Sequence, residues 1–79
     1  MKRAIALVET RNGCAMLERQ PRYDVLLHGE KLGQLYFNLR GYVGTLPTPS
    51  GAHLNIGEKS IATYRKEASR LNREWRDNG

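Results

Sequence analysis

Apolar and polar residues alternate along the first two thirds of the chain, and apolar residues then recur at helical spacing towards its end. In residues 2–10 (KRAIALVET), Ile5 and Leu7 fall on one side and Ala4, Ala6 and Val8 on the other, which predicts a strand. Asn12-Gly13 suits the positive φ that a type I′ turn needs at both central positions. A return strand is therefore expected at Cys14 to Arg19, ended by Gln20-Pro21 because proline cannot donate to a ladder. A second hairpin follows. Tyr23, Val25 and Leu27 point one way and Asp24, Leu26 and His28 the other, a Gly29-Glu30-Lys31 turn intervenes, and Leu32 to Asn38 returns with Leu35 and Phe37 opposite Tyr36. Arg40 to Leu46 is extended but glycine-rich, so it reads as an edge strand or a bulged continuation. Pro47 to Gly51 (PTPSG) reads as a stiff exposed crossing, and Ala52 to Ile56 as a last short strand.

From Glu58 to Arg76 the period changes. Ile61, Tyr64, Ala68, Leu71 and Trp75 are spaced 3, 4, 3 and 4 apart, a single apolar stripe on a helix. Asn55 with Glu58 has the form of a capping box, Ser60 is the cap for a shorter helix, and Asn78-Gly79 is the stop. Nineteen residues would run about 28 Å, enough to cross a small sheet, with Trp75 and Tyr64 as the largest core pieces. The expected fold is α+β: an antiparallel β-meander of four to five strands over residues 1–56, with one long C-terminal amphipathic helix over 57–77 packed on one face. All of it forms one domain, 1–79.

Seventy-nine residues bury only about 60% of the surface of the unfolded chain. A single cysteine, Cys14, allows no disulfide within the chain, so stability rests on packing, with a monomer and a homodimer both open. Lack of a disulfide framework reads as cytoplasmic. The apolar run Ala4 to Val8 follows Lys2-Arg3 but is too short for a signal-peptide core, and no segment is expected to enter a membrane. Thirteen Lys and Arg against eight Asp and Glu give +5. Arginine dominates the basic set, which suits bidentate contact with phosphates or carboxylates. A net charge of this size is also ordinary for a small soluble domain.

At 100° per residue, Lys59, Lys66, Arg70 and Arg73 cluster on the arc opposite the apolar stripe, flanked by Glu67 and Glu74, either of which Arg70 can reach. One reading is a basic ridge for phosphates or an acidic protein surface; the other is a solvated face braced by weak intrahelical pairs. Tyr23, Tyr36 and Tyr42, interleaved with Arg22 and Arg40, suggest an exposed surface of the residue types that dominate interface hot spots. The plainer reading is that one or two of these tyrosines complete the core. Arg40-Gly41-Tyr42 matches only the opening of the RNA-recognition strand motif, and the element order does not fit that family. His28, His53 and Cys14 have no metal-site spacing. Ser50, His53 and Asp24 make a triad only on paper, with no nucleophile elbow or phosphate-cradling loop nearby. The expectation is a protein without enzymatic activity, cofactor or metal.

In format, a short chain with a strand meander, one long C-terminal helix, no catalytic motif and many Arg and Tyr residues, the protein resembles the small anti-CRISPR inhibitors of phages and mobile elements. That resemblance covers format and no signature motif. It implies a bacterial host cell and steric binding to a CRISPR effector complex, here through an acidic protein patch because the chain is basic. The anchors would be Tyr36, Arg40 and Tyr42 with Lys66, Arg70 and Arg73. The alternative is a DNA- or RNA-binding accessory protein using Lys59, Lys66, Arg70 and Arg73 against phosphates.

Overall fold

The computed structural model describes residues 4–11 and 20–78. The strand expected at Cys14 to Arg19, its Asn12-Gly13 turn, Cys14 itself and the terminal Gly79 lie outside the described residues. Four strands form one antiparallel sheet in the order β1-β2-β3-β4: β1 (Ile5–Thr10), β2 (Arg22–Leu27), β3 (Glu30–Asn38) and β4 (Gly41–Val43). A two-stranded ribbon, β5 (Thr45–Pro47) with β6 (His53–Asn55), and one helix, α1 (Ile61–Asn78), complete an α+β fold.

Period-two alternation sets the register. Ile5 pairs with Leu27, Leu7 with Val25 and Tyr23 with Leu35, so one sheet face collects the large apolar residues. Ile5, Tyr23, Val25, Leu35 and Tyr42 of that face are buried in one core with Leu46 of β5 and Tyr64, Ala68 and Leu71 of α1, with Ile61 and Trp75 packed at the margin. Residues of the opposite parity form the outer face. Its centre is polar: Gln34 Nε2 donates to Asp24 Oδ1 at 2.8 Å, and Lys31 Nζ lies 3.4 Å from the same oxygen. The ladder slips between Val25 and Leu26, a bulge that leaves Leu32 without a partner across the strand and exposed.

Several local expectations are corrected. The β2–β3 turn is His28-Gly29 and not Gly29-Glu30-Lys31, because Leu27 pairs with Glu30 across it. His28 at φ 53° and Gly29 at φ 86° supply the two left-handed residues of a type I′ turn. Arg40 to Leu46 is not one strand: Gly44 separates β4 from β5. PTPSG is no crossing. Pro47 is buried within β5, and the Thr48 amide and Oγ1 both donate to the Ala52 carbonyl, closing a turn between β5 and β6.

The helix begins at Ile61, three residues later than the Glu58 start, because Ser60 is its cap: Ser60 Oγ accepts from the Thr63 amide at 3.2 Å. Asn55 Oδ1 instead accepts from the Gly57 amide, a local turn outside the helix. Three side chains then tie α1 down. Tyr64 donates its hydroxyl to the Gly57 carbonyl at 2.8 Å, and Trp75 Nε1 donates to Pro47 O at 3.2 Å. Asn72 holds the Ile5 backbone at both ends, its Oδ1 accepting from N–H at 2.7 Å and its Nδ2 donating to C=O at 3.1 Å. Burial holds the Tyr64 phenol above its ordinary range, partly offset by the Gly44 backbone.

Candidate functional site: the β3–β4 hairpin

β3 and β4 pair Tyr36 with Val43, Phe37 with Tyr42 and Asn38 with Gly41, leaving Leu39-Arg40 as a two-residue turn. The base of this hairpin is firmly held. Backbone bonds run both ways between Tyr42 and Lys59, at 2.7 and 3.2 Å. Gly41 is needed for that approach, since a Cβ there would lie 2.8 Å from the Lys59 carbonyl oxygen. Tyr42 is only 5% exposed and donates its hydroxyl to Pro21 O at 2.9 Å. Its ring meets Tyr23 edge-on at 5.3 Å and Phe37 edge-on at 5.4 Å, and the Arg65 guanidinium lies 5.5 Å from the Tyr23 ring centre. A row of aromatic rings capped by a cation thus supports the hairpin from below.

The tip is the reverse. Leu39 is 90% exposed, Tyr36 50% and Phe37 44%. Leu39 also sits at φ 30°, in the left-handed region that disfavours branched apolar side chains, with the Arg40 amide donating to the Asn38 carbonyl beneath it. Such a conformation costs roughly 1–2 kcal/mol where the side chain is not glycine. Nothing in the fold offsets that cost through Leu39 burial. Arg40 is exposed and forms no ion pair among the described residues. Between Glu30 and Glu58 the chain carries no carboxylate.

The candidate residues from the sequence divide accordingly. Tyr36 and Arg40 are brought together at this hairpin and exposed. Tyr42, expected as a contact residue, is corrected to a buried support, and Tyr23 is likewise in the core. The plainer reading of these two tyrosines holds because a chain this small needs their rings to fill the space between sheet and helix. Phe37 and Leu39 join the site from the structure alone; the signal available in the sequence was a Leu-Arg pair in a turn with no nearby acid.

The basic ridge is thinner than its helical wheel. Lys59 is not on the helix: it precedes α1 and its backbone bridges to Tyr42, so it flanks the hairpin instead. Arg70 is engaged within α1, its Nε donating to Glu67 at 2.9 Å and a terminal nitrogen donating to Glu74 at 3.0 Å. The Glu67 hydrogen bond and charge, with Glu74, hold that guanidinium above its ordinary range. Asp77 falls on the same arc by helical angle. Lys66 and Arg73 remain as exposed cations without an ion pair among the described residues.

Ser50, His53 and Asp24 are not assembled. His53 lines a groove with Val25, Leu32, Gly33, Gln34, Gly44, Thr45 and Pro47, none of which is a carboxylate. Ser50 lines a separate hollow with Thr48, Pro49 and Glu74, and Asp24 is bound to Gln34 and Lys31. Among the described residues no three His, Cys, Asp or Glu side chains converge on a point, and no helix is long and apolar enough to cross a membrane. No protein-family model, curated protein or solved structure matches the chain.

Proposed function

We propose that this chain is a non-enzymatic binding protein whose contact surface is the tip of the β3–β4 hairpin, Tyr36, Phe37, Leu39 and Arg40. One observation carries the reading: Leu39 is a leucine in a left-handed turn with 90% of its surface in water. Strained, exposed apolar residues held on a rigid base are characteristic of sites that act on something outside the fold. Tyrosine and arginine beside it are the types enriched in binding hot spots. On the format shared with anti-CRISPR inhibitors, the partner is a host nucleic-acid-processing complex, occupied sterically.

The competing reading, direct binding of DNA or RNA, rests on Lys66 and Arg73 and on the net charge of +5. It is weakened by the engagement of Arg70 with two glutamates and the removal of Lys59 from the ridge. Biolayer interferometry against a panel of purified CRISPR effector complexes, beside labelled DNA and RNA in a salt series, separates the two. Binding to one complex that Leu39→Asn abolishes and Lys66→Glu/Arg73→Glu leaves intact is the expected result. Oligonucleotide binding that falls steeply with salt and disappears in the helix variant would replace it with the nucleic-acid reading.

A further inference from the structure

Resting on that binding reading, we infer that the surface the hairpin engages is an apolar protein groove rimmed by carboxylates. Shape comes first. The tip is convex and small, whereas a stable protein contact needs about 800 Å² from each partner. A knob reaches such an area only when the other surface wraps it, so the partner is concave. Its floor is apolar, because Leu39 leads the hairpin and Phe37, one pair behind the closing Asn38–Gly41 pair, is partly exposed.

Charge sets the rim. Arg40 shares the tip with Leu39, and Lys59 lies alongside through its backbone bonds to Tyr42. Glu58 is the nearest acid in sequence on that side, exposed and in no ion pair among the described residues. Lys31 is matched by Asp24 and Arg70 by Glu67 and Glu74, whereas Arg40, like Lys66 and Arg73 of α1, is in no ion pair among the described residues. Exposed at the turn and in no ion pair among the described residues, the Arg40 guanidinium is available for bidentate contact with a carboxylate. A second copy of this chain as the occupant would show as a dimer in analytical ultracentrifugation, and that result would overturn the inference. A nucleic acid fits poorly: its affinity comes from many phosphate contacts, and the tip carries one cation, Arg40, with Lys59 beside the hairpin base.

The test works with the partner still unidentified. A displayed library of peptides randomised over the concave face of a folded scaffold domain is panned against the folded, immobilised protein, and enriched peptides are measured against variants. The expected consensus joins large apolar residues to flanking Asp or Glu. Leu39→Asn should weaken such peptides by roughly thirtyfold, as loss of a hot spot does. Arg40→Glu should select peptides with Lys or Arg in place of the acids. Circular dichroism of both variants certifies that each is folded. Peptides that need Leu39 but carry no acids would overturn the carboxylate rim and leave the binding reading standing. Displacement of the selected peptides by single-stranded DNA at physiological salt would overturn the inference in favour of nucleic acid. Peptides indifferent to Leu39→Asn, or no enrichment at all, would overturn it as well, and the effector panel then decides whether the binding reading survives.

Discussion

The β2–β3 and β3–β4 turns of the main sheet solve the same geometric problem with opposite use of their side chains. Both close with two residues, and both place a non-glycine residue at positive φ: His28 at 53° and Leu39 at 30°. In the first turn the strained residue is exposed, but the fold bonds and packs against it. The His28 amide donates to the Ala4 carbonyl at 2.7 Å, and its ring meets Trp75 edge-on at 5.5 Å. Gly29 carries the second left-handed position without a side chain to strain. In the second turn the strained residue is a leucine, and its side chain is left in water. Backbone strain alone therefore does not mark a site; strain that the fold does not use does.

Substitutions rank this difference by size. Gly41→Ala should be the most damaging, because the new Cβ would meet three Lys59 backbone atoms at 2.8 to 2.9 Å. We expect a loss of about 2–3 kcal/mol in urea unfolding, since an overpacked site cannot relax when the obstruction is backbone. Partner binding should fall with it, as the hairpin loses its base. Gly29→Ala, at φ 86° with open space around it, should cost about 1 kcal/mol from backbone conformation alone. Binding per folded molecule should not change. Leu39→Asn should gain about 0.5 kcal/mol, because asparagine tolerates the left-handed region better than leucine, while binding is lost. Lys66→Glu/Arg73→Glu should move stability by no more than about 0.5 kcal/mol, as exposed charges usually do. It should leave binding through the tip unchanged.

Much of the architecture is legible in the sequence. The period-two alternation marks β2 and β3 with their correct faces, and the stripe Ile61, Tyr64, Ala68, Leu71, Trp75 marks the buried side of α1. These signals are long and repeat, so a single misread residue does not erase them. Boundaries that depend on one side chain are harder. Asn55 with Glu58 and Ser60 with Thr63 both have the form of a cap in sequence, and only the chain path, pinned by the Tyr42–Lys59 bridge, makes Ser60 the true one. The Asn72 clamp on Ile5 spans almost the whole chain and has no local trace.

The site is half visible for a related reason. Residue type marks Tyr36, Arg40 and Tyr42 as interface-like, but type does not report burial, and Tyr42 is needed between Tyr23 and Phe37. Leu39 escapes sequence reasoning because an isolated leucine beside a strand reads as ordinary core. What distinguishes it is a dihedral angle and an exposure, neither of which is written in the pattern. The helix ridge errs in the opposite sense: a helical wheel groups charges by angle, while Arg70 is held by its own neighbours.

The most direct measurement is thermal unfolding of Leu39→Asn beside the wild-type protein. If Leu39 serves a partner and not the fold, the variant melts at the same temperature or higher. A melting temperature several degrees lower would mean that Leu39 supports the hairpin itself, and the tip would lose its standing as a binding surface.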